Sequence, residues 1–200
     1  MMKKIFLLLV FSTALATTAC GNNVSAKKTK TAAPTSASSD MLEEKEVKAT
    51  QSAKMTEIVY LAMLSYNQTI DDFVIKLNEK DSDFNASVYD DKHYSVMMLE
   101  SERKSTVDAL KKTGIDENLE KLISNEKYEG IFTHYEYTKD LKSITLYSNS
   151  AEGGMKFVEA AINVGVLSDV YQALSLVPID RRKYDFKIVD NTGNVIYPTP

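Results

Sequence analysis

The sequence predicts an α+β domain in which about three hairpins form an antiparallel sheet and helices pack on one face. Three observations predict it. Runs rich in β-formers come in pairs, each split by a short polar turn. Between the pairs lie apolar stripes at steps of three and four. The order is helix, hairpin, helices, hairpin, helix, hairpin. That is a rhythm of about three αββ-like units, which share little sequence identity.

Asp40 and Glu43 have the spacing of a capping box that opens a helix. Residues 41–52 are charged, and the pattern leaves open whether they extend the first helix. Met55, Val59, Ala62, Tyr66, Ile70, Phe73 and Leu77 then recur on one helical face. A long N-terminal helix is therefore expected from about residue 53 to Lys80, where Asp81-Ser82-Asp83 breaks the pattern. Ala86–Tyr89 and His93–Leu99 read as a hairpin around Asp90-Asp91-Lys92. Ser101 is the expected cap of a second helix ending at Gly114, a residue suited to C′. Asp116 is the expected cap of a short helix with Leu119, Leu122 and Ile123 on its apolar side.

Ile131–Thr138 and Ser143–Ser148 make the second hairpin, turning at Lys139-Asp140. Gly153-Gly154 precede a mostly apolar helix from Met155 to about Leu176, stopped by Pro178. The last hairpin pairs Lys183–Val189 with Asn194–Tyr197. Its turn is Asp190-Asn191-Thr192-Gly193, with Gly193 supplying the positive φ.

The N-terminus reads as an address. Met1-Met2-Lys3-Lys4 is a short basic start, and an apolar run follows from Ile5 through Ala16. That is the form of a secretory signal peptide, and it is too short for the roughly 20 residues of a membrane span. Thr17-Thr18-Ala19-Cys20 resembles the lipobox of bacterial lipoproteins. The resemblance implies a signal peptide over 1–19, cleavage before Cys20 and a diacylglyceryl lipid on its thiol. It also implies an exported chain held on the outer face of the cytoplasmic membrane, or on the outer membrane of a Gram-negative cell. Thr17 departs from the pattern, where an aliphatic residue is usual. The rival reading is ordinary secretion through the A-x-A site Ala14-Leu15-Ala16. Residues 20–39 then comprise the lipidated cysteine and a linker of small polar residues, and residues 40–200 a single domain. The stretch Tyr184-Asp185-Phe186-Lys187-Ile188-Val189-Asp190-Asn191-Thr192-Gly193-Asn194-Val195-Ile196-Tyr197 looks like the final hairpin of PepSY-type domains, small αββ modules of secreted and envelope proteins. It carries no functional residue with it.

Composition narrows the function. The 200 residues include one Cys, two His and no Trp, which leaves no Cys-rich zinc site and no C-x-x-C redox pair. No metal or cofactor is expected. All five basic residues before Asp40 lie in the signal peptide and linker. From residue 40 onwards 19 Lys and Arg face 28 Asp and Glu, a net charge of -9. Such a domain does not suit nucleic-acid backbones, which call for clustered Lys and Arg. It suits a basic partner.

Candidate chemistry is thin. His93 and His134 lie at matching places in two hairpins, yet two histidines fall short of a metal site. Asp71-Asp72 and Asp90-Asp91 read as a solvated helix face and a turn. No G-x-S-x-G, P-loop or dinucleotide fingerprint is present. Arg181-Arg182 is the one arginine pair and could clamp a carboxylate or phosphate. Tyrosine is in excess, with 11 residues, many on predicted strands. Tyrosine packs well in half-buried sheets and is also enriched in interface hot spots. Tyr94, Tyr135, Tyr137 and Tyr147 are therefore the candidate partner-binding residues. The expectation is a membrane-anchored envelope lipoprotein, non-catalytic, that binds a protein or envelope partner in the manner of immunity, exclusion or inhibitor lipoproteins. The alternative is an envelope hydrolase or solute-binding lipoprotein whose site is scattered along the sequence.

Overall fold

Residues Met55–Leu61 form a strand, β1, rather than the start of a long helix. The computed structural model describes residues 53–81, 84–150 and 153–197. The expected signal peptide, Cys20, the linker and the helix opening at Asp40 lie outside these residues. In β1, Ile58 and Tyr60 are buried while Glu57 and Leu61 are exposed, the period of two that belongs to a strand. Ile58-Val59-Tyr60 is β-branched and aromatic, which suits a pleated surface. The helical stripe read from the sequence had joined this strand to a separate helix. Met55 and Tyr66 on that stripe are exposed. Ile70, Val74 and Leu77 are the buried face of helix α1, Ile70–Lys80. Thr69 and Asp72 start α1 as a capping box.

Strands β2 (Ala86–Val88) and β3 (His93–Leu99) form the expected first hairpin. β1 pairs antiparallel with the other edge of β3, so the sheet order is β1-β3-β2. The rings of Tyr60 and Tyr94 stack at 5.4 Å, and Phe73 of α1 lies 5.3 Å from Tyr94.

Helix α2, Glu100–Ala109, follows β3 directly. Its N-cap is Leu99, and the expected cap Ser101 lies within the first turn. Gly114 does not end the helix. Its φ is -64°, and a π turn over Leu110–Gly114 carries the chain into helix α3, Ile115–Ile123. Spacing explains this. Val107, Leu110, Ile115 and Leu119 are all buried. The step from Leu110 to Ile115 is too long for an ordinary turn, and the wider π turn keeps both on one face.

Strands β4 (Phe132–Tyr137) and β5 (Ser143–Ser148) form the second hairpin. Helix α4, Met155–Leu174, follows, and β6 (Asp185–Asp190) and β7 (Val195–Tyr197) form the third hairpin. The chain is an α+β fold, as expected. Its strands, however, make two sheets, the second in the order β4-β5-β6-β7. β5 and β6 pair in parallel, because α4 crosses between them and returns the chain in the same direction. Gly154, ahead of α4, has φ +49°, and Gly193 in the last turn has φ +86° as expected.

Helix α4 is the hub of the fold. It touches β1, α2, α3 and β6, and every residue from Leu167 to Leu174 is buried. The buried apolar residues of both sheets join in one cluster around it. A helical segment buried on all sides must find partners for its polar groups. Ser168 Oγ donates to the Leu141 carbonyl at 2.6 Å. The Gln172 carboxamide donates to the Lys183 carbonyl at 2.8 Å and accepts from the Lys183 N–H at 3.1 Å.

Asp169 does the most. One of its oxygens accepts from the Leu61 N–H at 2.9 Å, and the other pairs with Arg182 at 2.8 Å. Arg182 also donates to the Val59 carbonyl at 2.8 Å and, through Nε, to Val177 at 3.1 Å. The N–H of Ala62 bonds to Lys92 on the β3 side, so the even-numbered residues of β1 face β3. Val59 and Leu61 thus point to the free edge of the strand. Carboxylate and guanidinium supply there the pair of bonds that the next strand of a parallel ladder would supply. Asn78 of α1 does the same at β2, donating to the Ala86 carbonyl at 2.9 Å and accepting from its N–H at 2.7 Å.

A second ion pair ties β1 to the helices. Arg103 donates to Glu100 twice at 2.8 Å and to the Leu174 carbonyl at 2.5 Å. Thr56 of β1 donates to Glu100 at 2.9 Å. Hydrogen bonds from Arg103 and Thr56 hold the Glu100 carboxyl down at about 2, below its ordinary 4.5. A carboxylate depressed in the folded state adds stability above its ordinary value and loses it as the pH falls through the lowered one. Glu100→Gln should therefore be less stable than the native chain at neutral pH. In acid unfolding followed by circular dichroism, the two should converge between pH 4.5 and about 2. Curves that stay parallel across that window would contradict the assignment.

Candidate functional site

The four candidate tyrosines do not form one surface. Tyr94 is 2% exposed in the core between β1, β3 and α1, which removes it from any binding face in this fold. Burial and the nearby Tyr60 and Asp169 push its phenol well above the ordinary value. Tyr135, Tyr137 and Tyr147 do lie together, on the β4–β5 hairpin, but on two faces of the sheet.

Tyr135 and Tyr137 face the helix side, opposite the buried Leu146 and Ile144. They are half-buried at its rim, with ring centroids 6.3 Å apart. Both hydroxyls donate to the Asp116 carboxylate of α3, Tyr137 at 2.9 Å and Tyr135 at 3.4 Å. Asp116 was expected to cap a helix and instead anchors this pair. Tyr147 points to the opposite face, where no helix among the described residues packs against it. Its ring stacks on His134 at 3.9 Å, and its hydroxyl donates to Glu136 at 2.9 Å. Thr145 and Lys187 share that face by register.

The outer edge of β4 completes the geometry. Thr138 N–H bonds to Ser143, so Thr138, Glu136 and His134 exchange backbone bonds with β5. Tyr135 and Tyr137 direct their backbone groups outwards. Among the described residues nothing bonds to those groups, in contrast to the side-chain rungs on β1 and β2.

All this supports hydrogen bonding and stacking rather than proton abstraction. Burial, with Asp116 adding to it, raises Tyr137 to about 12. Burial and the charges of Asp116 and Glu120 raise Tyr135, and the hydrogen bond to Glu136 raises Tyr147. All three phenols are neutral donors at neutral pH.

The other candidates are also accounted for. His93 locks its own turn, with Nδ1 2.8 Å from Asp90, whose carboxylate accepts from the Lys92 and His93 amides at 2.8 Å. His134 lies in the other sheet, so the histidines do not meet. Asp72 caps α1, and Asp190 closes the last turn by accepting from the Thr192 and Asn194 amides at 2.9 Å. Arg182 does clamp a carboxylate, but that of Asp169 in the same chain. No three His, Cys, Asp or Glu side chains converge to hold a metal among the described residues. A surface depression of about 440 Å³ is lined by Ile123, Ser124, Glu126, Glu129 and Gly130, apart from the tyrosines and histidines.

Comparison with protein families, curated proteins and solved structures finds no match to the chain. Removing the Asp116 charge should bring Tyr137 from about 12 part of the way to its ordinary 10, because burial, the larger cause, stays. An alkaline titration of Asp116→Asn by tyrosine NMR checks this. An unmoved Tyr137 would show that the pair is not coupled as drawn.

Proposed function

We propose that the protein is an exported lipoprotein, anchored through Cys20, whose domain binds a protein partner along β4 and performs no catalysis. The observation that carries the reading is the open β4 edge. Unpaired strand edges are a liability that proteins usually cover. Here one rung on β1 and one on β2 are closed by Asp169, Arg182 and Asn78, while among the described residues β4 offers free backbone groups beside three tyrosines. An extended segment of a partner could add to such an edge, with backbone bonds giving affinity and side chains giving choice. The flanking carboxylates of Asp116, Glu120 and Glu136 suit a basic segment. An immunity, exclusion or inhibitor role, guarding the membrane face by binding an incoming protein, fits this arrangement.

Two measurements test the reading. A fatty-acid analogue fed to cells should label the chain, and Cys20→Ala should abolish the label. A photo-crosslinking residue at exposed Thr133 should capture a discrete envelope protein in intact cells. The same residue at exposed Lys104 of α2 should not, and Tyr147→Ala should weaken the capture. Label that persists without Cys20 defeats the anchor. Equal capture at both positions defeats the β4 surface.

A further inference from the structure

We infer that one end of the first sheet is a lipid-contacting tip, which seats the anchored domain against the membrane surface. This rests on the anchoring reading and adds an orientation to it. Register brings the relevant loops together. Leu61 lies opposite His93, Val88 lies opposite Tyr94, and the Ala62 N–H bonds to the Lys92 carbonyl at 2.8 Å. The connection from β1 to α1 and the turn from β2 to β3 therefore leave the sheet at the same end. Both carry exposed apolar side chains: Leu61, Met63, Leu64 and Tyr66 from the first, Val88 and Tyr89 from the second.

The tip is built rather than loose. The Gln68 N–H bonds to the Ser65 carbonyl at 3.0 Å, and the Ser65 N–H bonds to the Gln68 side chain at 3.1 Å. Asn67 takes a positive φ of 61° in this closed turn. Tyr66 stands at its corner, 95% exposed. A large aromatic ring held out in this way packs on nothing among the described residues.

Chemistry and reach favour lipid as the occupant. Residues 62–69 carry no charge and combine Met, Leu and Tyr, a mixture suited to a membrane interface, where Tyr is enriched. Protein interfaces are also enriched in Tyr and Met but in Arg as well, which this stretch lacks. Residues 21–54 separate Cys20 from β1, a contour of at most about 120 Å. A chain lipidated at Cys20 would keep the tip within reach of the bilayer at a high effective concentration. The flanking charges set the lipid. Asp71 and Asp72 begin α1, and Asp91 and Lys92 lie beside Tyr89, so the rim is acidic on balance. It suits zwitterionic headgroups better than anionic ones.

The chain offers its own probes, since it has one Cys and no Trp. The mature chain from Cys20 is made as Tyr66→Trp, and its thiol is joined to a maleimide lipid in phosphatidylcholine vesicles. The Trp emission should shift to the blue and lose intensity to acyl-brominated lipids. Tyr147→Trp, on the far sheet, should keep its solution emission. Replacing part of the phosphatidylcholine by phosphatidylglycerol should reduce the Tyr66→Trp shift. An unmoved Tyr66→Trp emission, or equal quenching at both positions, overturns the lipid tip and leaves this end as a protein-docking surface. The chemical anchor replaces the biological one. A native chain that takes no fatty-acid label in cells therefore counts against the lipoprotein reading, and unmoved emission counts against the tip alone.

Discussion

The buried Asp169–Arg182 pair is the constraint on which the rest of the structure depends. Its side chains are 6% and 4% exposed. Leaving one buried charge without the other typically costs about 3–5 kcal/mol. That is a large part of the roughly 5–15 kcal/mol that holds an ordinary domain together. The pair earns its place by geometry rather than by charge alone. It finishes the hydrogen bonding of an edge strand, ties the β1 sheet to α4, and fixes the segment that leads into β6. Tyr184 adds a further donor to Asp169 at 2.6 Å. With every oxygen engaged, the carboxylate belongs to the frame and not to a reaction.

The same device recurs through the molecule. Gln172 pairs with both backbone groups of Lys183, and Asn78 with both of Ala86. Each time a side chain replaces a missing strand. This lets two small sheets share one central helix without exposing their inner edges. Leu141 belongs to the same economy. It is fully buried with a φ of +50°. The left-handed backbone costs roughly 1–2 kcal/mol, which burial of a leucine side chain, about 1.5–3 kcal/mol, offsets. Against this background the uncovered β4 edge and the exposed Tyr66 turn stand apart. Among the described residues both leave backbone or apolar groups unanswered, as the β1 edge also does at Glu57.

Much of this was legible in the sequence. Turn residues located all three hairpins, since Asp90-Asp91-Lys92, Lys139-Asp140 and Asp190–Gly193 act locally. Met155–Leu174 was visible as an apolar run too long for a strand. β1 reads as helix in the sequence because Met55, Val59 and Ala62 happen to continue the spacing of α1. The alternation of Ile58, Tyr60 and Ala62, and the capping pair Thr69 and Asp72, were the signals that separate the two elements. The division into two sheets had no local signal, because it depends on how α4 routes the chain between β5 and β6. Faces were equally hidden. Tyr94 and Tyr147 look alike as strand tyrosines, yet one is core and the other is half-buried, stacked on His134. The pair Arg181-Arg182 reads as a clamp for a carboxylate or phosphate, but the carboxylate that Arg182 holds lies 13 residues away on a helix. Nothing in the pattern pairs them.

Amide hydrogen exchange at Leu61 tests the central claim most directly. Leu61 and Glu57 both direct their N–H groups to the outer edge of β1, and only Leu61 meets Asp169. The native chain should protect the Leu61 amide as well as that of Ala62, which bonds to Lys92, and leave Glu57 fast. Asp169→Ala should make Leu61 exchange like Glu57, relative to Ala62. A Leu61 amide that exchanges as fast as Glu57 in the native chain, or stays protected without Asp169, would contradict the account.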